Sequence, residues 1–141
     1  MGAPVVITLA GEPKGKGRPR FARATGRAFT PAATRSYEAA LRYAAQEAMG
    51  DRFPIGDAVV VTVEARMPIP QSWSKKRRAE AAAGRLRATC KPDIDNLVKV
   101  IDALNEVVWV DDKQIVKAEV TKVYSDKPAL VIQVFPLDGG E

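Results

Sequence analysis

The sequence predicts an α+β fold, a small, mostly antiparallel or mixed sheet packed by helices, and three observations carry that expectation. Residues 59–67 alternate apolar and less apolar side chains with the period of a strand. Two segments, one behind Thr30-Pro31 and one behind Pro92, place apolar residues at helical spacing after helix-start signals. Two further alternating runs, 116–121 and 130–134, are separated by Ser125-Asp126-Lys127-Pro128, which reads as a hairpin. The order is therefore β-α-β-α-α-β-β, and the 141 residues are expected to form one domain over 1–141 with its own core.

Each element has a local reason. Val5, Ile7 and Leu9 alternate and are bounded by Gly11 and Pro13, which predicts a first strand. Residues 11–30 carry six basic residues against one Glu, interrupted by glycines, and read as a basic loop. Thr30 is the predicted N-cap of a helix with Pro31 in its first turn, apolar Leu41, Ala44, Ala45 and Ala48 on one face, and Gly50 closing it. Val59, Val61, Val63, Ala65 and Met67 form the inward row of the clearest strand, ended by Pro68 and Pro70. Ser74 is expected to cap a short helix over 75–83, closed by Gly84. Pro92 precedes an amphipathic helix whose predicted buried stripe is Ile94, Leu97, Val98, Ile101, Leu104 and Val108. Val116, Ala118 and Val120 then alternate with Lys117, Glu119 and Thr121, and Leu130, Ile132 and Val134 make the last strand. Residues 138–141 are expected to fray.

Composition excludes several chemistries. The chain has no histidine and a single cysteine, Cys90, so Ser/His/Asp and Cys/His nucleophile systems, His-containing zinc sites and internal disulfides are all ruled out. A metal bound by side chains must be hard and oxygen-liganded, meaning Mg²⁺, Mn²⁺ or Ca²⁺. No apolar run reaches the ~20 residues that span a bilayer, and no signal-peptide pattern is present, so a cytoplasmic protein with no membrane partner is expected. The net charge of +5 hides an asymmetry. Residues 1–91 hold 17 Lys/Arg against 7 Asp/Glu, whereas residues 92–141 hold 5 against 10. A basic body with a concentrated acidic segment suits a polyanion that is gripped by one part and acted on by another.

The acidic segment is Lys91-Pro-Asp-Ile-Asp-Asn-Leu-Val-Lys99, followed by Asp102 and by Trp109-Val-Asp-Asp112. Asp93 and Asp95 flank Ile94 at the helix start. Ile94 belongs to the predicted buried stripe, so both carboxylates are expected to be pushed toward solvent. Asp95, Lys99, Asp102 and Glu106 fall on one helical face, and Asp111-Asp112 begins a strand able to fold back beside it. Taken singly, each acid has a structural reading: capping, an i,i+4 pair, or a turn. Together they exceed what capping requires, and a divalent cation offsets clustered like charge. Lys99, one turn in, is placed to support a phosphate or a developing negative charge.

These runs, with Asp102-Ala-Leu-Asn105 and Lys113-Gln-Ile-Val116, resemble the RusA family of Holliday junction resolvases, crossover junction endodeoxyribonucleases of bacteria and their phages. The family's pattern is Asp-x-Asp-Asn-Leu-x-Lys followed by Trp-x-Asp-Asp, and both occur here. Gly15-Lys-Gly-Arg-Pro-Arg20, Thr30-Pro31 and Tyr37 also resemble phage and Gram-positive members. The resemblance implies catalytic and metal-binding roles for Asp93, Asp95 and Asp112, a functional role for Lys99, a RusA-like fold, Mg²⁺ as cofactor with Mn²⁺ as a substitute, and a homodimer that nicks opposed strands of a four-way DNA junction. Whether Asp111 or Asp112 is the third acid stays open at this stage, with Asp112 favoured.

The grip on DNA is expected from two basic patches: Lys14, Lys16, Arg18, Arg20, Arg23 and Arg27 on the loop, and Lys75, Lys76, Arg77, Arg78, Arg85, Arg87 and Lys91 farther on. Phe21 and Phe29 are either core residues or wedges at a junction centre. Two rival readings remain at this level. One is a non-catalytic basic nucleic-acid-binding module, and the other is a metal-dependent nuclease acting on other branched or linear nucleic acids.

Overall fold

The computed structural model describes residues 3–16, 20–29 and 32–137. Arg18, the Thr30-Pro31 helix start and the 138–141 tail lie outside the described residues, as do the side chains of Arg20, Phe21 and Phe29. The fold is α+β: a four-stranded mixed sheet with helices packed on it. Strand β1 (Val5–Ala10) leads through the basic loop into helix α1 (Ala32–Met49), then strand β4 (Val59–Pro68), helix α2 (Lys75–Ala82) and helix α3 (Ile94–Val100). Strands β5 (Ile115–Ser125) and β6 (Ala129–Pro136) follow. Within the basic loop, β2 (Arg20–Phe21) pairs antiparallel with β3 (Ala28–Phe29), a small ribbon where the sequence suggested only a loop.

The sheet order is β1-β6-β4-β5, with β6 antiparallel to both its neighbours and β4 parallel to β5. The expected β5–β6 hairpin is therefore corrected: β4 lies between the two strands, and the Ser125–Pro128 connection steps over the end of β4. Ser-Asp-Lys-Pro lacks the two-residue Asn-Gly type of turn that closes a tight hairpin. Alternation within β4 is complete, with Val59, Val61, Val63, Ala65 and Met67 all buried on the helical side.

The core lies between that sheet face and the helices. From α1 it takes Leu41, Ala45 and Met49, and from the segment after α2 it takes Leu97, Val100, Ile101 and Leu104. Gly50 ends α1 in the left-handed region (φ 56°), as glycine permits at a helix C-terminus. Ser74 caps α2 by accepting from the Arg77 N–H at 3.2 Å, and Gly84 (φ 81°) follows its end, close to the predicted bounds.

Two inward rows differ from the sequence reading. The acid-bearing helix is short: α3 ends at Val100, passes into a 3₁₀ turn over Ile101–Leu104, and the chain then reverses at Glu106 (φ 69°). Its buried stripe is Leu97, Val100, Ile101 and Leu104, while Ile94 is 44% exposed and Val98 only half-buried. Asp93 and Asp95 thus face solvent because the whole first turn of α3 does, not because Ile94 is buried. Glu106, beyond the turn, leaves the face shared by Asp95, Lys99 and Asp102. In β5 the register slips between Val59 and Val60 of its partner, so Val116 is the bulged residue and stands 63% exposed. Val120 and Tyr124 pack toward the core instead.

Candidate active site

Three short pieces of backbone carry the acids, and each is held by an identifiable contact. At the start of α3, a cis Lys91-Pro92 bond precedes Asp93, which adopts an extended conformation and caps the helix. Its Oδ1 accepts from the Asn96 N–H at 3.0 Å. Asp95 forms an i,i+4 pair with Lys99, Nζ to Oδ2 3.0 Å, both side chains largely exposed. Two turns along the same face, Asp102 lies in the first turn of the 3₁₀ segment.

The Trp-x-Asp-Asp segment is anchored by the buried Trp109, whose Nε1 donates to Asn105 Oδ1 at 2.6 Å across the Glu106 reversal. Beyond it, Asp111 caps a 3₁₀ turn (Asp112–Gln114): its Oδ1 accepts from the Lys113 N–H at 3.1 Å while Gln114 Oε1 accepts from the Asp111 N–H at 2.9 Å, a reciprocal capping box. Gln114 also donates from Nε2 to the carbonyls of Ile55 (2.7 Å) and Asp57 (2.8 Å), pinning the turn to the approach to β4. The RusA-like motif does not assign Gln114 this role, but its place three residues after Asp111, the capping-box spacing, was the available signal.

This geometry separates the two adjacent aspartates. Asp111 is committed as a cap, and the Lys113 N–H, followed by its hydrogen bond with Asp112, holds its carboxyl below the usual range. Asp112 is pushed up to about 6 by its hydrogen bond with Asp111, then by that with Asp102, with burial and the charges of both neighbours adding to it. The carboxylates that converge are therefore Asp102, Asp111 and Asp112, and of the adjacent pair Asp112 is the one without a capping duty. Asp93 and Asp95 stand at the opposite end of the helical face. Asp102 lies seven positions after Asp95, about 10 Å along the axis. Among the described residues, no three carboxylates are gathered closely enough to hold a metal ion.

The basic loop lies directly against this acidic face. Gly15 packs where a Cβ would stand 2.8 Å from both Asn96 Cβ and Pro92 Cβ, so only glycine fits without displacement. The Lys16 N–H donates to the Asn96 carbonyl at 3.1 Å, and Lys16 Nζ reaches Glu38 (3.5 Å) and Asp102 (3.8 Å). From α1, Arg42 Nε donates to the Ala103 carbonyl at 3.2 Å, fixing the turn that presents Asp102. Lys16, Arg35, Glu38, Arg42, Tyr43 and Asp102 line an open cleft between α1 and that turn. Lys14, Arg23 and Arg27 are exposed on the loop, and Lys75, Lys76, Arg77, Arg85, Arg87 and Lys91 are exposed on the second patch, where Arg78 is half-buried. Arg20 is described only as backbone in β2.

Residues 10–135 match the family model of endodeoxyribonuclease RusA, a span that includes the basic loop, α3, Asp112 and all of β5. The chain belongs to the RusA endodeoxyribonuclease family. A curated relative, the uncharacterised protein YqaN of Bacillus subtilis (strain 168), is 35% identical over 135 residues, covering 92% of this chain and 94% of the relative. For a RusA-family chain the charge layout has a chemical sense: a cationic loop docked on a carboxylate-bearing helix puts phosphate-attracting and cation-attracting groups side by side. No helix among the described residues is long and apolar enough to cross a membrane.

Proposed function

We propose that this RusA-family protein is a Mg²⁺-dependent, structure-specific endonuclease that cuts four-way DNA junctions as a homodimer. The observation that carries the reading is the crossing of opposite charge at α3, where Gly15 and Lys16 lie on the helix start that bears Asp93 and Asp95. The donor set fits a hard cation, because every candidate ligand is a carboxylate oxygen and Asp112 is crowded by two like groups whose repulsion a divalent ion offsets. By the family resemblance Asp93, Asp95 and Asp112 would hold the ion, which requires the Asp112 turn and the start of α3 to draw together, since no three carboxylates among the described residues are gathered closely enough as they stand. Mn²⁺ suits the same donors. When bound, the ion supplies Lewis-acid activation of the scissile phosphate and the attacking water.

The chain's own groups do the rest. Lys99 holds Asp95 through its ion pair in the free protein and is placed to turn toward the phosphate once DNA arrives. Lys16 ties the loop to Asp102 and Glu38, setting the distance between grip and acids. The exposed lysines and arginines of both patches track the backbone of the junction arms. Two opposed cuts in one junction call for two copies of the site, which a two-fold dimer supplies.

The test is cleavage of a labelled four-way junction and of a linear duplex of the same sequence, each with Mg²⁺ and with EDTA. Paired nicks in the junction alone, dependent on Mg²⁺ and abolished in Asp95→Asn and Asp112→Asn with binding retained, are expected. Equal cutting of the linear duplex replaces the junction reading with a general nuclease. Binding without cutting under every condition replaces it with a non-catalytic DNA-binding module.

A further inference from the structure

The second basic patch looks uniform in sequence and is not uniform in structure. None of Lys75, Lys76, Arg77, Arg85, Arg87 and Lys91 has a carboxylate partner among the described residues. One of them is nevertheless held in place. The Arg77 guanidinium lies over the Trp73 ring, Cζ 4.1 Å from its centroid. Trp73 is itself braced, half-buried and edge-on to Tyr124 of β5 with centroids 5.4 Å apart and planes at 74°. The Arg77 backbone is fixed too, since its N–H is the one that caps onto Ser74 Oγ. Tyr124 lines a small cleft with Cys90 and Lys91, and Asp93 follows two residues later, so this ladder ends beside the acidic segment.

From this arrangement we infer that Trp73 is a positioning residue that holds Arg77 flat as the principal phosphate contact of the second patch, the point at which a junction arm is fixed relative to Asp93. The inference rests on the DNA-cutting reading above. A free arginine or lysine loses much of its rotamer freedom when it grips a phosphate, whereas a guanidinium already stacked has lost it beforehand. A cation–π contact at an exposed site is worth ~0.5–1 kcal/mol, so the ordering is worth about two- to fivefold in affinity. The stacked face is spent on the indole, and the N–H edge remains for phosphate oxygens, a geometry that lysine does not reproduce.

The test is equilibrium binding of a fluorescein-labelled four-way junction in EDTA across a series of salt concentrations. Arg77→Gln is expected to weaken binding about tenfold and to reduce the salt slope by about 0.9, one phosphate contact. Arg77→Lys and Trp73→Leu keep the charge, so each weakens binding about two- to fivefold with the salt slope unchanged. Trp73→Phe, which restores an aromatic face, recovers most of the loss, a rescue that a purely structural role for Trp73 would not show. Wild-type affinity and slope in Arg77→Gln, alongside a clear loss in Lys16→Gln, overturn the inference and leave the DNA reading standing. Equal losses in Trp73→Phe and Trp73→Leu also overturn it. Failure of the wild-type protein to bind the junction removes both.

Discussion

Replacing Gly15 with alanine tests the docking of the basic loop on the acid-bearing helix at a single atom. The added methyl would stand 2.8 Å from Asn96 Cβ and Pro92 Cβ, about 0.6 Å inside ordinary contact, which begins near 3.4 Å. Both obstructing atoms are attached directly to backbone, one in a helix and one in a proline ring, so neither swings aside. The loop must therefore withdraw. A retreat of 0.6 Å stretches the Lys16 N–H to Asn96 carbonyl bond from 3.1 Å to about 3.7 Å, beyond hydrogen-bonding range. It also carries Lys16 away from Asp102 and Glu38, already at 3.8 and 3.5 Å. Overpacking of this kind costs ~1–3 kcal/mol and the lost bond ~1 kcal/mol. The two overlap, since withdrawal relieves the clash by breaking the bond, so the net is about 2 kcal/mol. For a chain of this size that is a melting temperature lower by about 6 °C. Thermal unfolding followed by circular dichroism reads the stability, and junction cleavage reads the site, where activity should fall more than the small change in folded fraction explains. A melting temperature within about 1 °C of wild type, with undiminished cleavage, would refute the docking argument.

Other perturbations address the site's supports. Gln114→Glu replaces an amide that donates to the Ile55 and Asp57 carbonyls with a carboxylate that cannot. It should cost ~1–3 kcal/mol in urea unfolding and depress cleavage through the misplaced Asp112. Leu97→Ala, under the acid-bearing turn and fully buried, should cost ~2–5 kcal/mol, with the denaturant midpoint as the measure. Because Asp112 titrates near 6, protons compete with a cation there: Mg²⁺ dependence of cleavage should steepen and rates fall as pH drops through about 6. Asp102→Asn, which removes one source of that upward push, should move this acidic limb to lower pH, and an unmoved limb assigns it to another group. Stability runs the opposite way to cleavage. A raised Asp112 favours the folded state below its unfolded value and loses that contribution as pH rises through about 6.

Much of the fold was legible because its signals were local. The β4 alternation, the Ser74 cap and the Gly50 and Gly84 stops depend on residues a few positions apart, and all are realised. What could not be read was decided at long range. Nothing within Ser125–Pro128 reveals that β4 occupies the place beside β5 where a hairpin partner would sit. Ile94 fits a helical apolar stripe in projection, yet the first turn of α3 stands clear of the sheet and no neighbour covers it. At the site, the sequence identified the acid-rich runs, and the resemblance named Asp93, Asp95, Asp112 and Lys99. The convergence of Asp102 with Asp112, the Gln114 clasp and the seat of Gly15 on Pro92 and Asn96 depend on how turns from different parts of the chain meet. The resemblance already favoured Asp112 over Asp111, and the structure adds that Asp111 is occupied as a cap.

The strand order has a consequence for biosynthesis. β6, last among the strands in chain order, is the only strand paired with β1 among the described residues and also pairs with β4. While a nascent chain lacks residues 129–136, its first strand has nowhere to pair and its valine-rich β4 keeps one flank open, however much has already been translated. Closure of the sheet therefore waits for contacts more than a hundred residues apart, which makes folding slow for a chain of this length. A premature stop before Ala129 would strip a pairing partner from two strands at once and leave aggregation-prone polypeptide rather than a shortened nuclease.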